Sequence, residues 1–144
     1  MKKFISQIHT IGNYNIRFSR TDVIKNKEIM INRIEFLDKL TNRILADFKM
    51  DFTTTKLLNR YLHALKNRYT NCFTLDIPSY NTIENCKINC TIITPNKILL
   101  RLNYNSNNID TRFSIIFTAE EFDSFVDQYF FYLLIDVVQD PLEE

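Results

Sequence analysis

The hydrophobic pattern of this chain changes period several times, and each change marks a new element. Tyr14, Ile16 and Phe18 alternate with Asn15, Arg17 and Ser19, the two-residue period of a half-buried strand. Ile5, Ile8 and Ile11 precede them at looser spacing, and Gly12-Asn13 makes a turn, so two strands are expected in the first twenty residues. Residues 28–34 suit a third strand but also a helix. From Glu35 to Lys49, Leu37, Leu40, Ile44 and Phe48 recur every three or four residues, which predicts a helix with one apolar stripe. Thr53-Thr54-Thr55 offers N-caps for a second helix. Leu57, Leu58, Tyr61, Leu62 and Leu65 form its buried side, with Lys56, Arg60, Lys66 and Arg68 largely off it. That basic face suits either solvent or phosphate.

After Tyr69 the period returns to two. Phe73, Leu75 and Ile77, then Ile88, Cys90 and Ile92, then Ile98, Leu100, Leu102 and Tyr104, then Phe113, Ile115 and Phe117 form four alternating series. Pro78-Ser79, Thr94-Pro95-Asn96 and the polar run from Asn105 to Asn108 separate them. Thr118-Ala119-Glu120-Glu121 then opens a helix with a reciprocal capping box, and its acidic first turn suits the positive end of the helix dipole. Phe122, Phe125, Val126, Tyr129, Phe130, Leu133 and Val137 make the stripe, and Phe131, Tyr132, Leu134, Ile135 and Val138 widen it almost all round. Such a helix needs cover, either from the N-terminal half or from a second copy, and the expectation is a homodimer through this helix.

The fold class expected is α+β. A C-terminal four-stranded antiparallel sheet is followed by a long amphipathic helix, with N-terminal strands and two helices packed alongside. The 144 residues suffice for one domain with a real core. It divides into a basic strand and helix half over residues 1–69, a ββββα unit over residues 70–138, and an acidic tail over residues 139–144.

Charge is unevenly spread along the chain. Residues 1–69 carry 14 basic against 6 acidic side chains, residues 70–118 carry 4 against 3, and residues 119–144 carry 0 against 8. The gradient fits a basic face for a polyanion with an acidic face held away from it, or two ends that attract each other. Gly12 is the only glycine, which excludes the glycine-rich phosphate loops of P-loop and Rossmann enzymes. No charge-free apolar run reaches about 18 residues, and the basic start turns polar too soon for a signal peptide, so an intracellular location, cytoplasm or nucleus, is expected without membrane attachment. Cys72, Cys86 and Cys90 lack a second Cys/His pair for zinc, and Cys86 and Cys90 share one strand face as small hydrophobes.

Catalytic chemistry finds no constellation. His9 and His63 stand in different elements without carboxylates or cysteines beside them, and no nucleophile elbow or HExxH occurs. The expectation is a non-enzyme with no cofactor and no metal. On the four C-terminal strands the face opposite the apolar series presents Thr74, Lys87, Asn89, Thr91, Arg101, Asn103, Arg112 and Ser114, with Leu99 and Ile116 as apolar patches. Cations neutralise phosphates, amides and hydroxyls bond backbone or base edges, and apolar patches support unstacked bases. An ordinary solvated sheet face has the same composition.

The segment Asn96-Lys97-Ile98-Leu99-Leu100-Arg101-Leu102-Asn103-Tyr104, followed by Arg112 through Phe125, resembles the transcriptional coactivator PC4 family and the related Pur-type repeats. Ile115-Ile116-Phe117-Thr118-Ala119-Glu120-Glu121-Phe122-Asp123-Ser124-Phe125 is similar to the strand that runs directly into that family's helix, and Asn96-Lys97 stands at its Gly-Lys hairpin. The family's Lys-Gly pair before the last strand is missing. The resemblance covers about half the chain. It implies a curved sheet binding single-stranded DNA on its outer face, dimerisation through the helices, and Lys97 and Arg112 at basic positions of the family. It also raises a decayed second copy in the first 70 residues, one strand short. The function expected is a single-stranded nucleic acid binding protein acting in replication or transcription. Arg101, Arg112, Lys87 and Lys97 would hold phosphates with help from Arg17, Asn89 and Asn103 would add hydrogen bonds, and Tyr104 or Tyr80 would stack on bases. The rival is a small accessory subunit of a polymerase or viral assembly, docking through its last helix.

Overall fold

Alternating side chains put most of this chain into strands, and two helices close what the strands build. The computed structural model describes residues 2–5, 7–24, 28–78, 84–106 and 109–134. In chain order the elements are β1 (Lys2–Ile5), β2 (His9–Ile11), β3 (Tyr14–Ile24), β4 (Glu28–Asp38), β5 (Ile44–Asp51), α1 (Phe52–Lys66), β6 (Cys72–Ile77), β7 (Glu84–Thr94), β8 (Lys97–Ser106), β9 (Ile109–Thr118) and α2 (Ala119–Leu133). All strand pairs are antiparallel.

The two halves share one plan, a sheet four strands wide and then a helix. The second sheet has the order β6-β7-β8-β9. In the first the order is β1-β3-β4-β5, and β2 also pairs with β3. Phe4 of β1 lies opposite Arg20 and Thr10 of β2 opposite Asn15, so two short strands share one edge of β3. The N-terminal half thus has the strand that the second-copy idea lacked. The expected C-terminal ββββα unit is present, but the N-terminal half is a second sheet with one helix, not strands and two helices packed alongside the first.

The missing helix is the one expected over Glu35 to Lys49. That stretch instead ends β4, turns, and forms β5. Asp38 makes the turn: its Oδ2 accepts from the amides of Leu40 (3.1 Å) and Thr41 (2.8 Å) and from the Thr41 hydroxyl (2.9 Å). Asn42 then takes a left-handed φ of 59°. These local bonds offer the backbone an alternative to a helix. The helical spacing was coincidental, since Leu40 is 92% exposed while Ile34, Phe36, Ala46, Phe48 and Met50, at period two, are buried.

Both helices start at identifiable caps. The cap of α1 is Asp51, not the threonines after it; its Oδ1 accepts from the Thr54 amide at 2.7 Å. Thr55 is buried instead, donating to the Asp51 carbonyl and accepting from Asn32 at 2.8 Å. At α2 the capping box forms as expected. The Glu121 amide donates to Thr118 (3.1 Å), and the Thr118 amide donates to Glu121 (2.8 Å).

The core lies between the sheets. Phe125 of α2 has ring centroids 5.7 Å from Phe18 and 6.2 Å from Phe36 of the first sheet, and 5.5 Å from Phe117 of the second. Near the far end of β9 the sheets meet directly, where Phe113 lies 5.5 Å from Phe36 and 5.6 Å from Tyr14. The Tyr104 hydroxyl donates to the Asp47 carbonyl across the same gap. Tyr129 of α2 donates to the Thr55 carbonyl at 2.7 Å, tying the helices together. The N-terminal half is therefore the cover that α2 needed over its described turns. Phe122, Phe125, Val126, Tyr129 and Leu133 are buried within one chain, while Phe130 and Phe131 stay 42% and 47% exposed. The end of the expected stripe, Ile135 to Val138, lies outside the described residues.

Two consequences are measurable. Gly12 sits at φ +62°, and a Cβ there would lie 2.9 Å from Oε2 of Glu121, because the β2–β3 turn rests on the α2 capping box. Gly12→Ala is expected to cost about 1–2 kcal/mol of unfolding free energy in urea, combining left-handed strain with a disturbed cap. His9 Nε2 lies 3.0 Å from the Tyr132 hydroxyl, and burial lowers its pKa below the ordinary value. The unfolded chain then takes up its proton first, so this contribution is full above about pH 6.5 and is lost as pH falls below it. His9→Gln is expected to show a smaller drop in melting temperature than wild type between about pH 8 and pH 5.5.

Candidate nucleic-acid interface

Antiparallel register sorts the outer face of the second sheet into cross-strand rows. Ile88, Leu100, Leu102 and Ile115 are buried, so their neighbours along each strand must point outward. Lys87 stands opposite Asp76 and Asn103, and Asn103 opposite Arg112. The next row is Thr74, Asn89, Arg101 and Ser114, and the one after it is Cys72, Thr91, Leu99 and Ile116. A basic row, a mixed row and an apolar row thus lie side by side. Lys97 ends the apolar edge, opposite Thr118 at the start of α2.

The cations of this face are available. Arg101, Arg112 and Lys97 make no ion pair with a described residue, and all three are exposed. Lys87 has only a loose contact, 3.7 Å to Asp76, with side chains 53% and 83% exposed. An ion pair so exposed holds little energy and yields readily to a phosphate. Asn89 is less free than its neighbours. Its amide donates to the Phe73 carbonyl (3.0 Å) and Thr74 hydroxyl (2.9 Å) while its oxygen accepts from Thr91 (3.1 Å), so it braces β6 against β7.

Arg17 and Tyr104 lie elsewhere. Arg17 is on the outer face of the first sheet, donating from Nε to Glu35 at 2.7 Å and from a terminal nitrogen at 3.1 Å. That bond raises its already high pKa. Arg33 lies 2.7 Å from Asp47 and 3.4 Å from Glu35, whose side chain is only 3% exposed. The first sheet therefore spends Arg17 and Arg33 on its own carboxylates. Tyr104 follows Ile98, Leu100 and Leu102 onto the inner face, where its hydroxyl bonds Asp47. The expectation that it stacks on bases at the outer face is corrected: parity along β8 turns it inward. Tyr80 lies outside the described residues.

Position in three dimensions adds what the sequence reading missed. Arg68, at φ 63°, donates to the Pro95 carbonyl at 2.9 Å, bringing a further cation to the hairpin that carries Lys97. Lys66 bonds Asp127 at 2.8 Å, so the basic and acidic ends of the chain do meet within the fold at this pair. A cavity of about 590 Å³ opens where the basic row reaches the β8–β9 end, lined by Asp76, Lys87, Asn103, Asp110, Arg112 and Tyr104 among others. Asn103 Oδ1 is buried without a hydrogen-bond partner. Cys86 and Cys90 do share the inward face of β7, and burial pushes the Cys90 thiol well up. Among the described residues no group of three His, Cys, Asp or Glu side chains is placed to hold a metal, and no helix is long and apolar enough to cross a membrane.

No protein-family model matches the chain, and no curated protein is significantly similar to it. The PC4 and Pur-type resemblance therefore has no family match behind it. Two solved structures are similar. One is of a guide-RNA-binding protein complex bound to a guide RNA, at 12% identity and a TM-score of 0.49, covering 88% of this chain and 86% of that one. The other is the MRP1/MRP2 pair of Trypanosoma brucei, at 11% identity and a TM-score of 0.42, covering 88% of this chain and 82% of that one.

Proposed function

We propose that this protein binds single-stranded nucleic acid, DNA in the first instance, on the outer face of its second sheet, and acts in replication or transcription without catalysis of its own. The observation that carries the reading is the contrast between the two sheets. Arg17 and Arg33 on the first are held by Glu35 and Asp47, whereas Arg101 and Arg112 on the second stand exposed with no carboxylate partner among the described residues. Unpaired guanidinium groups beside amides, hydroxyls and an apolar row suit a strand whose phosphates need charge and whose bases need a platform. Phosphates fall to Arg101, Arg112, Lys87 and Lys97. Leu99 and Ile116, the latter 60% exposed, take the bases in place of Tyr104.

A second reading is favoured by one feature, the exposure of Phe130 and Phe131 near the end of α2. There the chain is an accessory subunit that docks on a partner by this patch, and the sheet face is merely solvated. Homodimerisation through α2 belongs with this patch.

Fluorescence anisotropy with labelled single-stranded DNA and RNA over a range of salt tests the proposal. Affinity should fall steeply with salt, on the order of tenfold or more between about 50 and 200 mM for three or four phosphate contacts. Arg101→Glu combined with Arg112→Glu should abolish binding with the melting temperature preserved. Absent or salt-insensitive binding at low salt overturns the reading.

A further inference from the structure

We propose that the corner where the α1–β6 turn meets the β7–β8 hairpin is a base-stacking site: a base of the bound strand stacks on Tyr69, and Arg68 and Lys97 hold the phosphates beside it. The proposal rests on the nucleic-acid reading above and deepens it, extending the site beyond the sheet face to an aromatic platform.

Tyr69 stands at an unusual helix end. After the cap Asn67, the Arg68 amide donates to the Leu65 carbonyl at 3.1 Å and the Tyr69 amide to the Ala64 carbonyl at 2.8 Å. This is the Schellman closure of a helix. Its left-handed residue is ordinarily glycine, and the residue after it ordinarily packs an apolar side chain back on the last turn. Neither holds here. Arg68 takes the left-handed φ of 63°, which a residue with a Cβ disfavours. Tyr69 is 84% exposed, more than any other aromatic ring among the described residues. Its ring therefore stands in water on a backbone that two hydrogen bonds fix. A solvated ring held so firmly offers a stacking surface with little left to order on binding.

Three observations join this ring to the sheet face. Arg68 donates to the Pro95 carbonyl at 2.9 Å and the Ile92 amide donates to the Asn71 carbonyl at 2.9 Å, so the turn carrying Tyr69 lies alongside the hairpin. Cys72, at the start of β6, ends the apolar row that runs through Thr91 and Leu99 to Ile116. Ile93, left unpaired where the β7–β8 register shifts, is 49% exposed beside the hairpin turn. A strand whose bases follow the apolar row thus reaches Tyr69 as it leaves the sheet.

The charge at this corner matches. Arg68 and Lys97 are exposed, and neither makes an ion pair with a described residue. The Pro95 carbonyl carries no net charge, so it leaves the Arg68 charge uncancelled and the other guanidinium donors open. A ring flanked by two cations suits a base with a phosphate on each side, and because every base has a π face no base is preferred.

The chain has no tryptophan, so Tyr69→Trp places a single such fluorophore at the site. Titration with a thymine-only strand of about twenty nucleotides at low salt should quench its emission in step with binding followed by anisotropy. Tyr69→Ala should weaken binding at least about fivefold and leave the slope of affinity against salt unchanged, because stacking releases no counterion. Tyr69→Phe, which keeps the ring, should restore that loss. Arg68→Gly should move two readouts in opposite directions. Its melting temperature should rise, since glycine suits this φ, while binding weakens with a salt slope lower by about one. Emission unchanged at saturation, or Tyr69→Ala binding like wild type, overturns the stacking site and leaves the nucleic-acid reading on Arg101 and Arg112 standing. Failure of the wild type to bind any strand at low salt removes that reading and this proposal together.

Discussion

Phe125 packs against both halves of the molecule. Its ring lies against Phe18 and Phe36 on one sheet and Phe117 on the other, so a single side chain on α2 is shared by both halves. Burying such a ring contributes on the order of 2–3 kcal/mol, and offset or tilted aromatic contacts add to it. Each sheet has one apolar face that cannot stay in water. Because both faces close on the same helix, neither half has a complete core alone. The inner faces are thereby committed to the core.

The two outer faces then diverge by chemistry. They stand on sheets of the same plan, yet the central row of the first is Arg17, Glu35 and Asp47 while the basic row of the second is Lys87, Asn103 and Arg112. In the first, a nearly buried Glu35 draws in both Arg17 and Arg33, since a buried carboxylate needs compensating charge. In the second, an amide occupies the middle and leaves the flanking cations outward. The rows differ at two places, Asn103 for Glu35 and Arg112 for Asp47, so on these three strands the second row has no carboxylate, and Asp76 on β6 makes only the loose contact with Lys87.

Much of this was legible along the chain. The four C-terminal strands, the Thr118 capping box and the outward set Lys87, Asn89, Arg101, Asn103 and Arg112 all follow from strict alternation and a local cap motif. The stretch Glu35 to Lys49 was not legible, because Leu37, Leu40, Ile44 and Phe48 imitate a helical stripe. The signal that corrects it is Asp38 followed by Thr41-Asn42, a turn written in side-chain bonds rather than in hydrophobic period. Tyr104 shows the same lesson on the smaller scale of one residue. Its aromatic ring suits a base platform, while its place in the alternating series puts it inside.

By itself, then, the amino-acid sequence determined what depends on near neighbours: the parity of the C-terminal strands, the Thr118 capping box, and which side chains of those strands share a face. These are set by backbone geometry over a few residues. The tertiary structure decided what depends on residues far apart in the chain. It covered α2 with the N-terminal half, bound Arg17 to Glu35, carried Arg68 to the Pro95 hairpin, and left Asn103 with a buried, unpartnered oxygen. Which charges are neutralised and which polar atoms are orphaned depends on distances in space, and one-dimensional order does not contain those distances.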